Sequence, residues 1–142
     1  MNSGEQRQRI VNRREESKVQ KIRLAEKLAS FKEQWSPKIV GELNGQHVKL
    51  VKFQGEFVWH HHDLEDEFFL VLRGSFRMDY RDESGDERSL EIAEGEFVIV
   101  PRGTEHRPYA AEEAHVLLFE PLATLNTGNV RSERTIEVPE AI

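Results

Sequence analysis

The apolar positions change rhythm once along the chain. Leu24, Leu28, Phe31 and Trp35 recur at i, i+4, i+7 and i+11. That is one stripe of a 3.6-residue period, and it predicts an amphipathic helix over 24–36, ended by Pro37. From Ile39 onward the period is that of strands. Residues 39–43 (IVGEL) and 46–53 (QHVKLVKF) flank Asn44-Gly45, a pair suited to the two positive φ angles of a type I′ turn, so a hairpin is predicted there. Further strands are predicted over 56–60, 68–72, 76–80, 89–92, 97–100, 107–110 and 115–120, with Ala111-Glu112-Glu113 as the turn between the last two. Many short strands at regular spacing make an all-β sandwich or barrel. Phe69, Phe76, Met78, Tyr80, Phe97 and Ile99 are expected to face its interior. Residues 68–72 (FFLVL) are apolar on both faces, so the outer side needs a cover: the N-terminal helix, or a second copy of the chain in a homodimer. Residues 1–23 hold too few apolar side chains for a core and read as a flexible polar arm. Residues 122–142 show no sustained period and read as a C-terminal tail in which 135–138 adds an edge strand.

In a strand, residues i and i+2 share a face. Parity therefore puts Val58, His60 and His62 on one side and Phe57, Trp59 and His61 on the other. Two imidazoles at neighbouring same-face positions can grip one divalent cation, but a complete site takes three or four ligands. Glu67 opens the next predicted strand, and an antiparallel return would bring it beside the two histidines. His106 follows the tight Pro101-Arg102-Gly103 turn. Together, His60, His62, Glu67 and His106 would set one negative protein charge against a 2+ ion, leaving a cationic centre able to take an anionic group or dioxygen. A register one residue later offers instead His61, Asp63 and His106, a triad of two histidines and one carboxylate. Arg102, Arg107 and Tyr109, beside His106, are candidates to orient a substrate carboxylate. His47 reads as a surface histidine and His115 as a strand-end one.

Composition narrows the chemistry further. The 142 residues include no cysteine, so thiolate sites and disulfides are excluded and any metal must be held by His and carboxylate. The formal charge is −6, unevenly spread: residues 1–33 carry nine Lys and Arg against five Asp and Glu, +4, leaving eleven against twenty-one, −10, for the rest. An acidic body is a poor surface for nucleic acid. No apolar run reaches the ~18 residues of a membrane span, and the N-terminus lacks the apolar core of a signal peptide, so a cytoplasmic protein is expected. The absence of a P-loop, a Gly-x-Gly-x-x-Gly or a Ser/His/Asp order disfavours nucleotide-dependent and acyl-transfer chemistry.

Two stretches carry a family resemblance. Gly55-x4-His60-x-His62-x4-Glu67-x6-Gly74, followed by Gly95-x5-Pro101-x-Gly103-x2-His106, closely resembles the paired motifs of the cupin superfamily over about 41–121. The resemblance implies a double-stranded β-helix, or jelly-roll, barrel over 37–121 behind a short N-terminal helix. It also implies a divalent transition metal (Fe, Mn, Ni, Zn or Cu) held inside by the residues matching His60, His62, Glu67 and His106. Two positions depart from the usual pattern: four residues rather than five separate Gly55 from His60, and Ala110 stands where an Asn often closes the second motif. The register through His60 and His62 is preferred to that through His61 and Asp63 because it keeps the common spacing to Glu67 and Gly74. The function implied is that of a small metalloenzyme of dioxygenase, isomerase or lyase type acting on a small molecule. The alternative is a non-catalytic metal- or ligand-binding protein or sensor, although residues 1–34 are too short and polar for a helix-turn-helix.

Overall fold

The structure, a computed structural model, describes residues 19–142; most of the predicted polar arm lies outside the described residues. Among the described residues one helix, α1 (Leu24–Ala29), precedes eight strands: β1 (Lys38–Leu43), β2 (Gln46–Glu56), β3 (Glu67–Arg73), β4 (Ser75–Arg81), β5 (Glu87–Ala93), β6 (Phe97–Val100), β7 (His106–Pro121) and β8 (Glu140–Ala141). No helix among the described residues is long and apolar enough to cross a membrane.

The β1–β2 hairpin forms as predicted. Asn44 and Gly45 take φ 50° and 73°, the left-handed pair that a type I′ turn demands. The long strand β7 organises everything else. One edge pairs antiparallel with β2 from Gln46↔Pro121 to Glu56↔Tyr109. The other edge pairs first with β4, from Arg77↔Tyr109 to Tyr80↔His106, and then with β3, from Phe68↔Phe119 to Arg73↔His115. Strands β5 and β6 extend these two branches, and the sheet curls into a jelly-roll barrel. The β3–β4 turn crosses close over the middle of β7. Gly74 (φ 80°) sits there because an added Cβ would lie 3.2 Å from the Glu113 carbonyl oxygen.

Several predicted elements differ. The helix stops at Ala29 rather than running to residue 36, with Ser30 Oγ donating to the Lys27 carbonyl. Its stripe then divides. Leu24, Leu28 and Phe31 pack with Leu50, Leu72 and Leu117 on the outside of the sheet, while Trp35 (φ 58°) turns to the barrel mouth and stacks on Phe53 and Phe57, with ring centroids 4.5 and 4.8 Å apart. Lys52 anchors the helix end by donating to the Leu28 and Phe31 carbonyls at 2.7 and 2.6 Å. The strand predicted over 56–60 is instead an extended segment with one bridge, His60↔His106. The two strands predicted over 107–120 are one, because Ala111-Glu112-Glu113 continues the ladder region of β7. The C-terminal strand is Glu140–Ala141, parallel to β1, and not 135–138.

The barrel interior is a cluster that includes Val51, Phe53, Phe69, Val71, Phe76, Met78 and Val116. Phe97 and Ile99 do not join it: they are 59 % and 54 % exposed. The register explains why. Val100 pairs with Glu67 and Val98 with Phe69, so once Glu67 and Phe69 point inward, Val98 and Val100 must follow and their neighbours face out.

Candidate metal centre

The segment between β2 and β3 carries two of the candidate side chains, and backbone hydrogen bonds fix its position. His60 and His106 exchange N–H···O=C bonds of 3.0 and 2.8 Å, and the Gly103 amide donates to the His62 carbonyl at 2.7 Å. His60 and His62 keep the predicted parity and are buried, as are Glu67 at the start of β3 and His106 at the start of β7. One donor atom from each of the four lies within 4.8 Å of all the others. Phe57 is the exception to parity. It is buried on the same side, its ring edge-on to His60 with centroids 5.3 Å apart, because the segment leaves the ladder after Glu56.

The hydrogen bonds around the imidazoles select the tautomer. His60 Nδ1 lies 2.9 Å from the Val58 carbonyl and His106 Nδ1 2.8 Å from that of Thr104. A carbonyl only accepts, so both Nδ1 atoms carry the proton and both Nε2 lone pairs face the centre. His106 Nε2 is 3.1 Å from Glu67 Oε1. His62 Nε2 lies 2.5 Å from the same oxygen, yet it is buried without a partner in hydrogen-bonding alignment. An orphaned buried nitrogen aimed at three other donors is what a cation would satisfy.

Electrostatics fit the same purpose. Burial, reinforced by the neighbouring His106, lowers the His60 pKa to about 3, so this imidazole is neutral and its lone pair available. Burial alone would raise Glu67, but the neighbouring His106 and His62 outweigh it and hold the carboxyl well below the usual range. Three imidazoles and one carboxylate suit a divalent first-row ion.

A cavity of about 30 Å³ opens beside His60 and Glu67, room for one or two waters. Trp35, Phe53, Phe57 and Phe69 make much of its wall, and Glu120 contributes a carboxyl group. Glu120 accepts from Lys49 Nζ at 2.8 Å, both side chains being 2 % exposed. Burial, with the nearby Glu67 charge, pushes Glu120 up to about 8 against the opposing pull of Lys49. The C-terminal segment, expected to be a tail, closes the other side. His61 N donates to Asn129 Oδ1 at 2.8 Å and Asn129 N returns a bond to the His61 carbonyl at 3.0 Å.

The rival triad is not brought together. His61 sits outside, between Asp63 and Glu105 at 2.9 Å each, and the Glu105 hydrogen bond raises its pKa. Arg102, Arg107 and Tyr109 also miss the cavity. Arg102 pairs with Asp66 on the surface, Arg107 binds Asp79 and Glu56, and Tyr109 lies under the Arg77 guanidinium. On β7, the inward positions are those of His106, Pro108 and Ala110. His47 is half-buried rather than a surface group, and His115 lies within β7 rather than at a strand end. Glu120 and Lys49 were open to the same parity argument: Glu120 follows Val116 and Leu118, and Lys49 precedes Val51 and Phe53, at inward positions. Their charge concealed it. Asn126 and Gly128 had no periodic signal to reveal them.

Comparison with known proteins agrees with this geometry. The sequence model for the Cupin domain matches residues 47–120. A cupin-2 domain containing protein from Shewanella frigidimarina NCIMB 400 is 38 % identical, over 70 % of this chain and 93 % of that one, with a TM-score of 0.66. The Bacillus subtilis (strain 168) protein YdbB is 35 % identical over 68 residues, which are 48 % of this chain and 57 % of YdbB, so the match spans little more than half of that relative. Hydroquinone 1,2-dioxygenase from Sphingomonas sp. TTNP3, in complex with 4-nitrophenol, is 23 % identical over 75 % of this chain and 33 % of that one, with a TM-score of 0.66, a likeness of fold. With its barrel, its paired motifs and its match to the family over residues 47–120, this chain belongs to the cupin domain family.

Proposed function

We propose that His60, His62, Glu67 and His106 bind a divalent first-row transition metal and that the protein is a small metalloenzyme acting on a small molecule. The observation that carries this reading is the convergence of four buried donors within 4.8 Å, with the Nδ1 atoms of His60 and His106 already committed to backbone carbonyls. A metal here would supply Lewis acidity or activation of dioxygen, with Fe, Mn, Ni, Zn and Cu all compatible with imidazole and carboxylate. The protein's own part is to present three imidazoles, to exclude bulk water with the Trp35 and Phe57 wall, and to admit a ligand through the adjoining cavity. A dioxygenase of like fold holds 4-nitrophenol, which supports a small organic ligand. A non-catalytic metal or ligand holder is the second reading, favoured by the narrowness of the cavity, about 30 Å³.

Elemental analysis of protein purified without chelator tests the centre. About one metal per chain is expected, lost in His60→Ala and in His106→Ala; full retention by both variants refutes it. Oxygen uptake by iron- and manganese-loaded protein with thiols, diketones and catechols separates enzyme from holder: uptake abolished by the ligand variants marks an enzyme.

We also infer a homodimer. Helix α1 covers Leu72 and Leu117 but leaves Phe68, Phe97, Ile99 and Phe119 on the same outer face of β6, β3 and β7. A contiguous apolar strip of this kind, beside an edge of β6 that pairs with no strand among the described residues, suits an isologous contact with a second copy.

A further inference from the structure

The buried Lys49–Glu120 pair has no part in metal binding as described so far, and stability does not account for it. The contact to Glu120 Oε1 is the one hydrogen bond that Lys49 Nζ makes among the described residues. An ion pair so deeply buried and so thinly supported is commonly no more stable than apolar side chains of the same volume. Its placement is informative instead. Glu120 lines the cavity that His60 and Glu67 also line. The other polar groups there are committed: Asn126 donates to the Arg134 carbonyl and accepts from the Ile136 amide, His60 Nδ1 faces the Val58 carbonyl, and Glu67 belongs to the centre. No Arg or Lys among the described residues lines the cavity.

We propose that Glu120, held in place by Lys49, hydrogen-bonds the ligand in this cavity, and that the site takes a small uncharged molecule bearing a hydroxyl group. The proposal deepens the metalloenzyme reading and rests on it for the far end of the ligand, at the centre. A hydroxyl both donates and accepts, so it pairs with a carboxyl group whichever form that group takes. A carboxylate ligand would meet Glu67 and Glu120 with no cationic side chain on the wall to pair with. A ligand with no polar hydrogen would offer Glu120 nothing beyond the bond it already accepts from Lys49, so a hydroxyl is preferred. The aromatic wall takes the carbon skeleton, and at about 30 Å³ the innermost part of the ligand is no larger than a hydroxymethyl group. Lys49 is a positioning residue, acting through Glu120.

The test is a ligand-observed NMR titration of zinc-loaded protein with three probes of equal carbon count: hydroxyacetone, acetone and lactate. Hydroxyacetone is expected to bind about tenfold tighter than either of the others, the worth of one hydrogen bond in a desolvated site. The double variant Lys49→Met/Glu120→Leu removes both charges together. It is expected to bind hydroxyacetone and acetone equally while keeping its zinc affinity within about threefold, a split that a purely structural pair would not produce. Should that variant not fold, Lys49→Met/Glu120→Met, with unbranched side chains close to the original volumes and no strong hydrogen-bonding group, is expected to lose the preference for hydroxyacetone in the same way. Hydroxyacetone binding no tighter than acetone, no saturable hydroxyacetone binding, or a preference unchanged in whichever of these variants folds overturns the proposal. Failure of the wild type to bind zinc overturns the metal centre instead, and the same titration of the metal-free protein still decides the role of Glu120.

Discussion

Replacing Gly128 with alanine adds one methyl group where the C-terminal segment crosses the histidine segment. Gly128 has φ +54°, and the new Cβ would fall 2.2 Å from the His61 carbonyl oxygen, 2.9 Å from its carbon and 3.1 Å from His60 Cδ2. Two of these atoms are backbone, so no rotamer relieves the clash; the segments must part by about 1 Å to reach ordinary contact. That movement breaks the reciprocal bonds between His61 and Asn129, at about 1 kcal/mol each. The left-handed conformation adds about 1 kcal/mol for a residue with a Cβ. The sum is about 3 kcal/mol, which for a chain of this size lowers Tm by about 6–12 °C. The same displacement shifts the peptide units that hold His60 and His62, and zinc affinity is expected to fall at least tenfold, as when the groups that orient a ligand are removed. Gly85→Ala isolates the backbone contribution, since Gly85 has φ +81° and nothing within 4 Å of the added Cβ. Differential scanning calorimetry and isothermal titration with zinc measure both effects. A Gly128→Ala protein that melts and binds zinc like Gly85→Ala refutes the packing of the C-terminal segment against the centre.

Two further outcomes follow from other parts of the fold. Asp79 is buried on the outer face of β4, where Arg77, Ser89 and Arg107 donate to it. Burial would raise its pKa, but these bonds outweigh it and lower the value from 3.8. The stabilisation is therefore fully present above pH 3.8 and is lost as pH falls through the folded-state value. Asp79→Asn should cost about 2 kcal/mol at neutral pH and flatten the acid limb of the urea-unfolding profile; an unchanged limb would contradict this assignment. On the proposed dimer face, Phe97→Glu should convert a dimer to a monomer in light scattering while leaving stability within about 0.5 kcal/mol, since Phe97 is 59 % exposed; a wild type that is already monomeric at working concentration removes the dimer.

The hairpin at Asn44-Gly45, most strand positions and the shared face of His60 and His62 were legible because each depends on local chemistry: a turn that needs two positive φ angles, an alternation of period two, and a spacing of two between the histidines. What failed did so where a long-range partner overrode the local pattern. Trp35 had the spacing of a helical stripe, but its indole is taken by the Phe53–Phe57 stack. Phe97 and Ile99 had the apolarity of core residues, but pairing with β3 gave that face to Val98 and Val100.

Residue types and their intervals were thus enough for an all-β chain with His60 and His62 on one face, and the resemblance to the cupin motifs joined Glu67 and His106 to them in preference to the register through His61 and Asp63. Tertiary structure decided what surrounds them: that residues 124–129 fold back over the histidines, that Arg102, Arg107 and Tyr109 turn away, and that Lys49 and Glu120 meet inside. Parity says which side chains share a face, because the pleat is a property of one strand. Which face is buried, and against what, depends on registers and closures between segments distant in sequence, such as Lys49 and Glu120, 71 residues apart.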